Sequence, residues 1–253
     1  MQTLATTSLV LLSAHLVTDF VFPRDQVLET GKEAWTGWLK HGLAHYLTAS
    51  LLAGFVQLAW FSSLGFQLGL VGLTGAHLLL DWGGRLLAAR DNVWAFLRDQ
   101  LLHFGTIVTA AYLIAVSPHA ELAVWLVRVR HHENKLLTFL VVYTGVIFGG
   151  GTLLRYAMRP LLERLDEIPE QLPDAGMYIG WLERFLVLTA LVLQSPSTVG
   201  LILTAKSVVR YPELKSLKFA EYFLIGTLLS VSLAVVGGII LLKALGRTSA
   251  LTR

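Results

Sequence analysis

Five histidines and three aspartates between residues 15 and 103 fall into four pairs of one spacing. His15 and Asp19 are four apart in HLVTD, His41 and His45 in HGLAH, His77 and Asp81 in HLLLD, and Asp99 and His103 in DQLLH. Residues four apart on a helix lie one turn from each other on the same face. Each pair could therefore grip an ion or a substrate from one side. Imidazole nitrogen and carboxylate oxygen are the donors that zinc takes in proteins when no thiolate is offered. The chain has no cysteine, which removes disulfides, thiolate metal sites and cysteine nucleophiles.

Eight such side chains exceed the needs of one tetrahedral ion. A pair of ions about 3.5–4 Å apart would use them all; one ion with outer carboxylates orienting the histidines would use fewer. The candidate ligands are His15, Asp19, His41, His45, His77, Asp81, Asp99 and His103. Asp19, Asp81 and Asp99 are also the candidates for proton transfer in catalysis. The expected cofactor is one or two divalent ions: zinc, manganese or iron. A single histidine in an apolar helix is more often a hydrogen-bonded helix contact than a ligand. Ionisable groups inside a membrane are costly and mark function by default, and four pairs of one format weigh against coincidence.

The elements that carry these pairs are apolar. Hydrophobic residues make up 55% of the 253-residue chain, charged residues 15%, and the mean hydropathy is +0.63. Soluble domains carry about 25% charged residues. The expected fold is all-α, a polytopic membrane helical bundle of about seven transmembrane helices. The apolar runs lie at 5–22, 39–61, 64–81, 97–116, 136–158, 181–204 and 220–243. Residues 1–116 form a predicted four-helix membrane bundle carrying the pairs. Residues 117–180 are a connecting segment with a fifth span and a polar loop, and 181–253 a C-terminal pair of spans. The N-terminal run lacks a basic region ahead of it and leads into His15 and Asp19, so it reads as a retained span. The run 120–127 is too short to cross and reads as interfacial or re-entrant. With helices alternating in direction, all four pairs reach one membrane face. Arg24, Lys32 and Lys40 in the first loop and Arg85, Arg90 and Arg98 in the third mark that face as cytoplasmic.

The remaining features are weaker. The formal net charge of +3 follows from the basic loops, with no basic stripe interleaved with aromatics, so nucleic-acid binding is not expected. Trp35, Trp38, Trp82 and Trp94 suit an interfacial belt. Gly149–Gly151 and Gly237–Gly238 suit close helix packing. Ser13, Ser195 and Ser197 have no evident base. His119, His131 and His132 fall outside the pattern and read as surface residues.

The segments HLVTDFVF (His15–Phe22), HGLAH, HLLLD and RDQLLH (Arg98–His103), together with Lys32, resemble the bacterial membrane proteins grouped as domain of unknown function 3307. The resemblance covers about the first 110 residues, and Ala205–Ser230 looks like the tail of longer members. It implies a bacterial inner-membrane location and carries no established activity. Its His-x-x-x-Asp helices are similar, more distantly, to those of inner-membrane proteins classed by prediction as metal-dependent hydrolases. One departure stands out: a glutamine expected soon after Asp19-Phe20 comes only at Gln26, beyond Pro23, and no role is carried to it.

The expected function is therefore a multi-pass membrane protein with an intramembrane His/Asp metal site near the cytoplasmic face, hydrolysing a lipid-linked or amphiphilic substrate. Its partners are the lipid bilayer and that substrate, and an oligomer is compatible with the sequence. The same residues could serve a transporter or channel for divalent cations or protons. They could also hold a haem, which would leave the aspartates unused, or form a polar core that only specifies helix packing in a scaffold.

Overall fold

A computed structural model describes residues 2–22, 33–57, 60, 63–87, 92–116, 130–165 and 172–246. Pro23, Gln26, Lys32, Arg90, His119 and the short run 120–127 lie outside the described residues. Within them every regular element is helical. The chain divides into two compact units, residues 1–141 and 142–253.

In the first unit, α1 (Gln2–Leu16) runs into a π-helical turn, Val17–Val21. Then come α2 (Glu33–Val56), α3 (Leu64–Leu87) and α4 (Val93–Val116), each of 24 residues. At 1.5 Å per residue, 24 residues reach about 36 Å, more than the hydrocarbon thickness of a bilayer. Each helix packs on the next, and α4 closes back on α1. The start of α5 (Arg130–Thr144) joins through Asn134, whose Oδ1 accepts from the Thr6 hydroxyl at 2.8 Å.

The faces of these helices are sorted in the sense opposite to a water-soluble bundle. On α2 the buried row is His41, His45, Ala49 and Ala53, while Leu39, Leu43, Leu47, Leu51 and Phe55 are exposed. On α4 His103, Ile107 and Ala111 are buried, and Leu101, Leu102, Phe104, Val108 and Tyr112 are exposed. Leucines outside and histidines inside are unfavourable in water and suit a lipid surround. Lipid tails are as apolar as leucine, so burial of apolar surface does not drive helices together there; close packing of small residues and polar contacts do. Ala14, Ala49, Ala53 and Ala111, all at most 1% exposed, supply the former. Gln67, linked to Tyr46 and Ser50, is one of the latter.

The second unit begins at the end of α5 and continues through a second π-helical turn (Gly145–Gly149) into α6 (Gly150–Leu162). It is completed by α7 (Ala175–Val192), α8 (Pro196–Val209) and α9 (Leu217–Ala244). Arg184, buried on α7, donates to the carbonyl of Ile147 in the π-turn from Nε at 3.0 Å and Nη2 at 2.8 Å, and to Ser230 of α9. Gly151 makes room for it: a Cβ there would stand 2.7 Å from Nη2. Gly238 brings α9 against Leu191 in the same way, at 3.1 Å.

The run 181–204, expected as one span, is two helices. After α7, Gln194 takes a left-handed conformation (φ 59). The Ser195 N–H donates to Ala190 O at 2.8 Å, and that of Gln194 to Leu191 O at 3.0 Å. This pair of bonds is the Schellman closure that ends helices. Pro196 then opens α8, where its missing N–H costs nothing.

Five of the described helical stretches are long and apolar enough to cross a membrane: Leu4–Val21, Leu64–Gly84, Asn134–Leu162, Ala175–Val192 and Leu217–Ala244. α2 and α4 are not among them, though they have the length; each carries a histidine and charged residues in its first half.

Gly42 sits beside His41 against α3, where an added Cβ would lie 2.7 Å from Leu78 Cδ1. Gly42→Ala is expected to be absorbed by rotation of Leu78. Gly42→Val should overpack the α2–α3 contact and cost about 1–3 kcal/mol. Thermal unfolding in detergent would read this as a lowered midpoint for the valine variant alone.

Candidate metal centre

The four pairs are delivered by helix direction. His15 lies in the last turn of α1 and the π-turn holds Asp19; α2 carries His41 and His45 near its middle. α3 carries His77 and Asp81 in its second half, and α4 carries Asp99 and His103 in its first. The structure brings seven of the eight into one buried cluster. His15, His41, His45, His77, Asp81 and His103 are each at most 7% exposed, and the Asp19 side chain is 13% exposed.

Four donor atoms stand at the centre. Asp19 Oδ1 is 3.4 Å from His41 Nε2 and 3.5 Å from His77 Nε2. Asp81 Oδ2 is 3.7 Å from His41 Nε2 and 3.5 Å from His77 Nε2. The two histidine nitrogens are 3.0 Å apart. Donors around a tetrahedral zinc at about 2.0–2.2 Å are separated by about 3.3–3.6 Å, so these spacings suit a shared ion. They do not suit hydrogen bonding alone: two nitrogens at 3.0 Å can share one proton, while both also face carboxylates that can only accept.

The outer histidines have assignable tautomers. His103 Nδ1 lies 2.9 Å from the carbonyl of Asp99, one turn earlier on α4. A carbonyl only accepts, so Nδ1 carries the proton, and the Nε2 of the neutral ring is a bare lone pair. It is buried, makes no hydrogen bond, and faces Asp81 Oδ1 at 3.6 Å. His15 is set through Gln100, whose amide Nε2 donates to Asp99 Oδ2 at 3.0 Å. Gln100 Oε1 is thereby turned to His15 Nε2 at 3.3 Å, which must donate. The Nδ1 of His15 is then the lone pair, without a hydrogen bond and 3.4 Å from Asp19 Oδ2. Acceptors facing acceptors in a buried site repel unless positive charge lies between them. His45, 1% exposed, stacks on His77 with ring centroids 4.4 Å apart, and neither of its nitrogens makes a hydrogen bond.

Among the described residues, three sets of donors could hold a metal ion, the atoms of each within 4.8 Å of one another: His15, His45 and His77; Asp19, His41 and His77; and His77, Asp81 and His103. His77 belongs to all three. Asp99 belongs to none. Its side chain, 37% exposed, lies 3.6 Å from His103 Nδ1 and accepts from Gln100, which places it at the rim of the cluster as an orienting group. Gln100 was missed in the sequence because one amide in a polar helix start carries no signal. Arg98, one of the basic residues expected to mark the cytoplasmic face, is exposed at the same end of α4. Ser13 donates to Leu9 O at 2.6 Å and Ser195 is bonded to Thr198, so neither has a base.

Gln100→Leu should leave α4 intact and free His15 to turn. Outer groups of this kind typically alter metal affinity by about 10–100-fold, so weaker zinc binding in competition with a chromophoric chelator is expected. Unchanged affinity would show that Gln100 does not orient His15.

The chain matches no curated protein and no solved structure. Residues 8–132 match the model of a family described as a protein of unknown function (DUF3307). The match spans all four polar pairs and stops short of Ala205–Ser230. Over this stretch, just under half of the chain, the protein is similar to the DUF3307 family.

Proposed function

We propose that this is a multi-pass protein of the bacterial inner membrane and a metal-dependent hydrolase, acting on a lipid-linked or amphiphilic substrate near the cytoplasmic face. The observation that carries this reading is the approach of Asp19 Oδ1 and Asp81 Oδ2 to His41 Nε2 and His77 Nε2 at 3.4–3.7 Å, with those two nitrogens 3.0 Å apart. A divalent ion there, zinc, manganese or iron, would polarise a scissile bond and bring the pKa of a bound water towards about 7. Asp19 and Asp81 would be ligands. Asp99, outside the converging donor sets and open to solvent, is the carboxylate left to accept a proton from attacking water.

The surroundings support an amphiphilic substrate. Leucines line the outside of the bundle, and Trp35, Trp82 and Trp94 are exposed at the end that holds the cluster, as an interfacial belt would be. We infer that α2 and α4 cross the bilayer with α1 and α3, since they complete the ring around the site. Substrate would then reach the ions from the headgroup layer, where a phosphoester of a lipid-linked carrier sits.

Elemental analysis and phosphoester hydrolysis by the detergent-purified protein test this reading. The wild type is expected to retain stoichiometric metal and hydrolyse an amphiphilic phosphoester. The His41→Ala, His77→Ala double variant should lose both, with activity lower by on the order of 100-fold or more. Metal retained equally by the double variant would refute the site. A metal-loaded wild type that hydrolyses nothing, yet moves the ion across proteoliposomes, would make the protein a transporter.

A further inference from the structure

The four central donors do not exhaust the carboxylates of Asp19 and Asp81. Asp19 directs Oδ1 at His41 and His77, and its other oxygen, Oδ2, at His15 Nδ1. Asp81 directs Oδ2 at the same central pair, and Oδ1 at His103 Nε2. Each carboxylate thus faces two ways, with an imidazole nitrogen opposite every oxygen. The outer lone pairs belong to His15 and His103, whose rings stack at 5.1 Å and 15°. Both rings also approach His77, at 5.5 Å and 4.6 Å between centroids.

We propose that the cluster holds two divalent cations, with Asp19 and Asp81 bridging them. The first takes Asp19 Oδ1, His41 Nε2, His77 Nε2 and Asp81 Oδ2. The second takes the outer set, Asp19 Oδ2, Asp81 Oδ1, His15 Nδ1 and His103 Nε2. This rests on the metal reading above but not on hydrolysis. Three observations carry it. In a neutral ring the outer nitrogens are the lone pairs, because the far side of each ring donates, to Gln100 and to the Asp99 carbonyl. Both are buried without a hydrogen bond. The oxygens they face are not the ones that the central pair uses. One central ion leaves these two contacts as acceptor against acceptor; a second ion satisfies both. Bridging carboxylates hold two ions about 3.5–4 Å apart, the separation at which one water can be shared between them.

The test is metal stoichiometry on the full-length protein in detergent, loaded with manganese, with an electron paramagnetic resonance spectrum of each sample. The wild type should bind two equivalents and give the broadened spectrum of exchange-coupled manganese. His103→Ala and His15→Ala, each checked for helical content and monodispersity, should bind one equivalent and give the six-line signal of isolated manganese. His15→Ala decides the matter if His103→Ala fails to fold. A wild type that saturates at one equivalent with an isolated-ion signal overturns the proposal, as do variants that keep two coupled ions. A wild type that binds no manganese, zinc or iron overturns this proposal and the metal reading together. Two coupled ions without phosphoester hydrolysis would uphold the pair and defeat only the hydrolase assignment.

Discussion

The arrangement of the first unit depends on two carboxylates, Asp81 buried and Asp19 half-buried, each of which meets imidazole nitrogens at both oxygens. Asp19 and Asp81 come from different helices, and their oxygens are separated from the nitrogens of His15, His41, His77 and His103 by 3.4–3.7 Å. Such a group of acceptors is costly in an apolar interior. It persists because the rest of the bundle leaves it little freedom. Alanines let the helices approach, Gln67 ties α2 to α3, and the backbone of α4 holds His103 by its far nitrogen. A loosely packed bundle would let the side chains turn to solvent. This one keeps them facing inwards.

Much of this was legible in the sequence, because i,i+4 spacing and helix direction are both written there. Four pairs at alternating helix ends can meet only towards one end of an up-and-down bundle, and seven of the eight side chains do. The distinction between ligand and orienting group was not legible. Asp99 and Asp81 stand in equivalent formats, DQLLH and HLLLD, yet Asp81 is buried among nitrogens and Asp99 lies at the rim. Which of two such residues points inwards depends on rotation of the helix about its axis, and a single polar pair does not set that. His45 is a similar case, buried with its pair partner but resting on His77 through its ring face.

The second unit shows the opposite failure. The run from Trp181 to Thr204 is so apolar that its hydropathy conceals Pro196, the residue that prevents one helix from continuing. Hydropathy averages over a window, whereas a helix end is decided by one missing N–H and one left-handed residue. Arg184 was likewise hidden in an apolar segment. It lies buried against the carbonyl of a π-turn, a conformation with no compositional mark. In each place the missing information is local backbone geometry, which side-chain periodicity does not encode.

The π-turn at Val17–Val21 has a genetic consequence. A π-turn accommodates one residue more than the α-helix around it. Loss of a single codon there could be absorbed by the helix reverting to α, with no break in hydrogen bonding and little change in apolar length. Because the wide turn holds the extra residue, the flanking helix would keep its face, and the residue displaced would be Asp19, which lies inside the turn and faces His15. Frame-preserving deletions of one residue are usually tolerated in loops and harmful in helices. Here the helix itself would survive the deletion, and the damage would fall on the centre it serves.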